Sequence, residues 1–182
     1  MAELIYKISF YSDWHCASGL NTGADADDMP LCGSDKLPVI PGRTIKGLLR
    51  EAAEIVADKQ FIQNCFGMEM RKSHTADCQG KCVFSNAELT AKIKKTIIDN
   101  KGTEILFRGV SSTKIDRDGM AQDDSLRRCN YTVPLTLFGK ISGIADEDVP
   151  AMERCMKFIK RLGLKRNRGF GRCKIELFEV KK

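Results

Sequence analysis

The apolar positions of residues 4–11 alternate, with Leu4, Tyr6, Ile8 and Phe10 on one side and Ile5, Lys7, Ser9 and Tyr11 on the other. A period of two predicts a strand. A turn-rich stretch follows from Ser12 to Gly42 with four glycines and three prolines; loops of that length are usually functional or disordered. Ile45, Leu48, Leu49, Ala52, Ile55 and Val56 then recur at helical spacing. Pro41-Gly42 marks the start of that helix, which is expected to run to about Asp58. Val83-Phe84 predicts a short strand, and residues 89–105 are too polar to assign. Residues 107–132 mix Arg108, Lys114, Arg117, Arg127 and Arg128 with aspartates and glycines, and read as a protruding hairpin. Val133, Leu135, Leu137 and Ile141 return a strand to the core.

A second helix is expected from Asp148, a capping residue, with Pro150 in its first turn. Its buried stripe is Met152, Cys155, Met156, Ile159 and Leu162, and Gly163 fits the left-handed position that ends a helix. The last strand runs from about Cys173 to Val180. Strand, helix, strand, inserted hairpin, strand, helix, strand is an α+β order. It predicts a ferredoxin-like, RRM-like βαββαβ core in a single domain over 1–182.

Charge adds polarity to this picture. The chain has 30 Lys or Arg against 24 Asp or Glu. Residues 157–182 alone hold ten Lys or Arg and two Glu, a net of 10 − 2 = +8 that exceeds the +6 of the whole chain. Residues 13–35 hold five Asp and no cation. One segment suits phosphates and the other concentrates carboxylates, although two solvated surfaces of opposite sign would look the same. The N-terminus lacks a basic region followed by an apolar run, and no apolar stretch reaches the roughly 18 residues needed to span a bilayer. A cytoplasmic protein without membrane contact is expected. Its eight cysteines are then expected as thiols or metal ligands.

The turn Gly163–Arg172 carries three glycines and the cations Lys165, Arg166, Arg168 and Arg172. Glycines let backbone approach a bulky ligand, and cations supply charge for phosphates. Phe170 either stacks on a base or packs inward. A dinucleotide fingerprint places its glycines between a strand and a following helix; here the order is reversed, which excludes it. Arg168-Gly169-Phe170-Gly171 opens like the RNP1 motif, but Arg172, Cys173 and Lys174 break the match. On the first helix Arg43, Lys46 and Arg50 share a face and are candidates for a phosphate backbone. The alternative is a solvated face with Arg50 and Glu54 paired.

Cys65, His74, Cys78 and Cys82 follow the spacing Cys-x8-His-x3-Cys-x3-Cys. Three thiolates and an imidazole suit a closed, tetrahedral structural zinc within an insertion at 62–82, with Gly80 allowing the chain to turn. The alternative is a set of unrelated thiols. Cys16, Cys32, Cys129, Cys155 and Cys173 are scattered, and Cys155 and Cys173 fall on core-like stripes.

Several of these segments together resemble the RAMP superfamily. The glycine-rich turn before the last strand is one. Leu37–Arg50 (LPVIPGRTIKGLLR) is similar to the "IPGSSLKGxLR" helix entry of the backbone subunit of type III CRISPR effector complexes. Cys65-Phe66-Gly67 resembles the "LFG" of that family, Cys82–Ala87 its "LxFxDA", and Thr113–Arg117 its "xxIDR" thumb motif. The resemblance spans the first strand to the last. It implies that several copies line up as a helical filament along one guide RNA, bound with other CRISPR effector subunits. Each copy would kink the guide with its thumb (107–132) and cut complementary target RNA once.

The resemblance further implies a cutting aspartate in the loop before the first helix (13–42). Asp28 matches best because Pro30 follows two residues later; Asp27 and Asp25 are alternatives. RNA self-cleavage needs a deprotonated 2′-OH and a protonated leaving oxygen, which a carboxylate, or magnesium or another divalent ion held by it, assists. By the residues alone, these aspartates equally solvate a loop. Asp13-Trp14-His15-Cys16 keeps the histidine of the family but not its glycines, and His15 is implied to touch the guide backbone. Lys46, Lys114, Arg117 and the glycine-rich turn are implied to line the guide-RNA groove. Two other functions stay open: a guide-processing RAMP endoribonuclease that uses His15, and a non-catalytic RNA-binding scaffold.

Overall fold

The structure is a computed structural model, and it describes residues 1–17, 29–67 and 79–181. Strand β1 (Ala2–Phe10) follows the expected alternation without a break. Leu4, Tyr6 and Ile8 are wholly buried. Helix α1 (Gly42–Val56) starts where Pro41-Gly42 places it. Gly42 is required there: its N–H donates to Asn86 Oδ1 at 3.0 Å, and a side chain would overlap the Phe84 carbonyl oxygen. The helix stops two residues short of Asp58, because Asp58 begins another element. Its carboxylate accepts the Phe61 N–H at 2.8 Å and caps helix α2 (Lys59–Phe66). Strand β2 is Val83–Phe84, as expected.

Residues 89–105 contain helix α3 (Ala91–Asp99), which has no buried residue, and a 3-10 turn at Thr103–Leu106. Lys94 anchors α3 to the body through Asp35 at 2.9 Å and Glu88 at 2.6 Å. Strands β3 (Phe107–Ser112) and β4 (Arg127–Thr132) pair in register as a separate antiparallel hairpin. Strand β5 (Thr136–Ile144) starts later than Val133, because Val133 N–H donates instead to the Leu106 carbonyl.

Helix α4 spans Val149–Phe158 with Pro150 in its first turn. It does not reach Leu162. Residues 160–162 leave the helix to pair with the chain entering β6 (Cys173–Lys181): Leu162 N–H donates to Gly171 O at 2.9 Å and Cys173 N–H to Lys160 O at 3.0 Å. Ile159 and Leu162 remain buried, but as extended chain. Gly163 is left-handed, with φ of 98°, although it ends no helix. Asp148 stands at the helix start without a side-chain cap; its Oδ2 lies 4.0 Å from Cys65 Sγ.

The fold is mixed α+β with antiparallel sheets. The main sheet has the order β2-β5-β1-β6. The buried faces of α1 and α4 join the inward residues of β1, β5 and β6 in one continuous core. The opposite sheet face carries paired ions, including Lys7–Glu176 and Lys140–Glu3, each at 3.5 Å.

Candidate nucleic-acid interface

Three segments meet beyond the Phe10 end of β1. Residues 11–17 run between the glycine-rich turn and the base of the hairpin. On one side Tyr11 N–H donates to Arg172 O, Gly171 N–H to Asp13 O and Leu164 N–H to His15 O, each at 2.8 Å. On the other, Trp14 and Thr132 exchange backbone hydrogen bonds of 2.9 and 2.8 Å. Two glycines make this close approach possible. A side-chain carbon at Gly163 would lie 2.5 Å from the His15 carbonyl oxygen, and one at Gly171 would overlap the Leu162 carbonyl oxygen.

His15 is only 2% exposed. Its Nδ1 lies 2.7 Å from the Asn130 carbonyl oxygen, and its ring meets Tyr131 edge-on at 5.7 Å. Its ring thus holds segment 11–17 to the hairpin base. Tyr131 in turn stacks on Phe170, with centroids 4.2 Å apart and planes at 20°. Phe170 therefore packs against a neighbouring segment and remains half-buried. Lys165 folds over the same ring, with Nζ 5.5 Å from its centroid and 3.5 Å from Cys129 Sγ. Hydrogen bonding to Tyr131 holds the Lys165 ammonium above its ordinary pKa.

A cavity of about 250 Å³ opens beside this junction, lined by His15, Arg43, Thr44, Gly163, Leu164 and Arg166 among others. Arg43 and Arg166 thus converge from α1 and the glycine-rich turn. Arg168 and Arg172 are exposed on the same turn. None of these four arginines pairs with a described carboxylate. Lys114 and Arg117 are exposed on the loop joining β3 to β4, where Asp116 Oδ1 accepts the N–H groups of Asp118 and Met120, both at 2.9 Å.

The α1 cations divide. Arg50 sits 3.6 Å from Glu54, the solvated-face alternative. Lys46 lies near enough to Cys82 to favour its thiolate. Arg108, from β3, pairs with Asp13 at 3.0 Å and ties the hairpin to segment 11–17. Tyr131, Cys129 and Asp13 belong to this junction and were not singled out by sequence. The alternation of Cys129, Tyr131 and Val133 was the available signal for the first two.

Asp25, Asp27, Asp28, His74 and Cys78 lie outside the described residues. Cys65 and Cys82 are described, buried and adjacent. Cys82 N–H donates to the Cys65 carbonyl at 3.2 Å. A thiol–thiol hydrogen bond raises the Cys65 pKa and lowers that of Cys82, with burial adding to the first shift and opposing the second. Cys65 and Cys82 are the two expected zinc ligands that lie among the described residues. Among the described residues, no group of three or more His, Cys, Asp or Glu stands close enough to hold a metal. Burial pushes Cys16 and Cys173 up to about 12 and Cys155 up to about 11, as befits inert core thiols.

No curated protein matches the chain. Among solved structures, a chain of the Type III-B Cmr-beta complex bound to cognate target RNA aligns with a TM-score of 0.74 and 13% identity, covering 97% of both chains. A chain of Type III-B Cmr-beta in its apo state aligns with a TM-score of 0.74 and 14% identity, covering 98% of both. At such identity the likeness is one of fold. The family model of the RAMP superfamily matches residues 7–174. A match from within the first strand to within the last, over the segments that build the junction, means that this chain belongs to the RAMP superfamily.

Proposed function

We propose that the chain is a backbone subunit of a type III CRISPR ribonucleoprotein that binds guide RNA and cleaves complementary target RNA. The observation that carries this reading is the convergence of Arg43 and Arg166 on one cavity, with Arg168 and Arg172 exposed on the same glycine-rich turn and none of the four paired with a described carboxylate. Cations without internal partners suit phosphates. The two similar chains belong to Type III-B Cmr-beta complexes, one of them bound to cognate target RNA. We read the β2-β5-β1-β6 sheet with α1 and α4 as a ferredoxin-like core, and the β3–β4 hairpin as the thumb that carries Lys114 and Arg117. The partners are then guide RNA, target RNA, other effector subunits and further copies of the chain, in the cytoplasm.

Asp28 is the proposed cutting residue, since it precedes Pro30 by two positions in a loop that ends beside the arginine cavity. Its carboxylate would take the proton of the target 2′-OH; the freed oxygen attacks the adjacent phosphorus in line, the P–O5′ bond breaks, and the leaving 5′-oxygen takes a proton from solvent, giving 2′,3′-cyclic phosphate and 5′-hydroxyl ends. A divalent ion, if held by Asp25, Asp27 or Asp28, would supply charge stabilisation for the leaving oxygen. The arginines hold the guide, and His15 fixes the hairpin base. Zinc is proposed as a structural ion on Cys65, His74, Cys78 and Cys82, which leaves no open position for chemistry.

Reconstitution with guide RNA and partner subunits, followed by complementary RNA and magnesium, tests the function. Loss of the cut pattern in Asp28→Ala with guide binding retained supports it. An unchanged pattern removes Asp28 from the chemistry and leaves a scaffold. Cleavage of precursor RNA by the lone protein in EDTA points to guide processing.

A further inference from the structure

The aromatic pair at the junction has no role in the groove described so far. Neither Tyr131 nor Phe170 belongs to the continuous core. Tyr131 is 2% exposed and is fixed from three sides: by strand pairing to Arg108, by the edge of His15 and by Lys165 above its ring. Phe170 lies against this fixed ring at 4.2 Å and is only partly exposed. Its neighbours Gly169 and Gly171 are both left-handed, with φ of 88° and 69°. The Gly-Phe-Gly unit therefore doubles back tightly and presents the ring at the surface, while Gly171 N–H is pinned to Asp13 O.

We propose that Phe170, backed by Tyr131, is a stacking platform for one unpaired base of the bound RNA. The proposal rests on the RNA-binding reading above and adds a base-contacting residue to it. Every nucleobase has a π face, so such a platform is tolerant of sequence. A ring with a rigid support loses little freedom on stacking. The surroundings select this ligand over a protein. Arg166, Arg168 and Arg172 flank the ring along its own turn and pair with no described carboxylate, so an apolar protein surface would bury them unpaired at a cost. Phosphates on either side of a stacked base would satisfy them.

A simpler role is a staple that holds the hairpin to the glycine-rich turn. Phe170→Leu separates the two, because leucine keeps an apolar contact with Tyr131 and loses the stack. The probes are a labelled single-stranded RNA decamer of mixed sequence and the same backbone made fully abasic. Wild type is expected to prefer the base-bearing strand by about tenfold or more. Phe170→Leu should lose most of that preference and bind the abasic strand as wild type does. Phe170→Trp should restore it, with quenching of the new indole by the base-bearing strand only.

If wild type binds neither strand, the RNA-binding reading itself fails. If wild type binds and Phe170→Leu keeps the full preference, the platform fails alone. If Phe170→Leu does not fold, Phe170→Trp decides: equal quenching by both strands overturns the proposal.

Discussion

Gly171→Ala should be far more costly than Gly169→Ala, although both glycines are left-handed and two residues apart. At Gly169 an added methyl carbon meets nothing within 4 Å, so the substitution costs only the left-handed backbone, about 1–2 kcal/mol. At Gly171 the same carbon would overlap the Leu162 carbonyl oxygen. The chain must move, and Gly171 makes two of the hydrogen bonds that hold residues 160–173 together: Leu162 N–H to its oxygen at 2.9 Å and its own N–H to Asp13 O at 2.8 Å. Losing both adds about 1 kcal/mol each, for a total of about 3–4 kcal/mol with the backbone cost. For a chain of 182 residues that corresponds to a fall in melting temperature of roughly 6–15 °C. Chemical denaturation of the two variants side by side, with thermal melts by circular dichroism, reads the difference directly. Equal destabilisation by Gly169→Ala and Gly171→Ala would refute the close approach of the turn to Leu162, and with it the geometry that brings Arg172 beside residues 11–17.

Other expectations follow from the same contacts. Arg166→Gln, Arg168→Gln and Arg172→Gln should each reduce the slope of log affinity against log salt for single-stranded RNA by about 0.7, measured by fluorescence anisotropy; an unchanged slope in all three would remove the turn from the phosphate path. The purified protein should carry about one zinc per chain by metal analysis, falling with Cys82→Ala, as four protein ligands require; a content near zero sinks the site. The Lys94 ammonium holds the Asp35 carboxyl below its ordinary value through their hydrogen bond. A depressed folded pKa contributes stability that is present above the unfolded value and lost as pH falls through the folded one. Asp35→Asn should therefore cost about 0.5–1 kcal/mol at neutral pH, and its gap from wild type should close as pH drops below about 4. A gap that persists in acid would refute the ion pair as its source, since asparagine keeps an Oδ1 that can accept the Leu37 N–H as Asp35 does at 3.1 Å.

Period and capping chemistry made the core elements legible. The alternation over residues 4–10 is reproduced residue by residue in burial, because one sheet face is covered by helices and the other is not. The start of α1 was legible because Pro41-Gly42 is a local signal. The end of α4 was not. Ile159 and Leu162 keep helical spacing from Met156 and are buried, yet the chain there is extended, since pairing with residues 171–173 supplies backbone partners that a further helical turn would forgo. Helix α2 was missed because Asp58 was read as the close of one helix when its carboxylate opens the next. Helix α3 was hard to read because its apolar stripe is only Ile93, Ile97 and Ile98 and none of its residues is fully buried. The arginines of the turn were legible by composition. The Tyr131–Phe170 stack was not, because it depends on residues 39 positions apart meeting across a hairpin base.

The sheet also separates two kinds of chemistry. The Phe10 end of β1 meets Cys173, the 11–17 segment, the hairpin and the arginines. The Ala2 end meets Ile144 on β5, and Val83, next to Cys82, pairs with Ser142 near that end. The Cys65–Cys82 pair therefore lies beside β2, toward the Ala2 end of β1, while the glycine-rich turn lies beyond its Phe10 end. Under the zinc proposal, an ion there would brace α2 and its return to β2. Lys46 lies on α1, near Cys82, and Arg43 is one helical turn closer to the cavity. Removal of the ion should lower the melting temperature while leaving the salt slope of RNA binding in place, whereas Arg43→Gln should change the slope and leave the metal content alone.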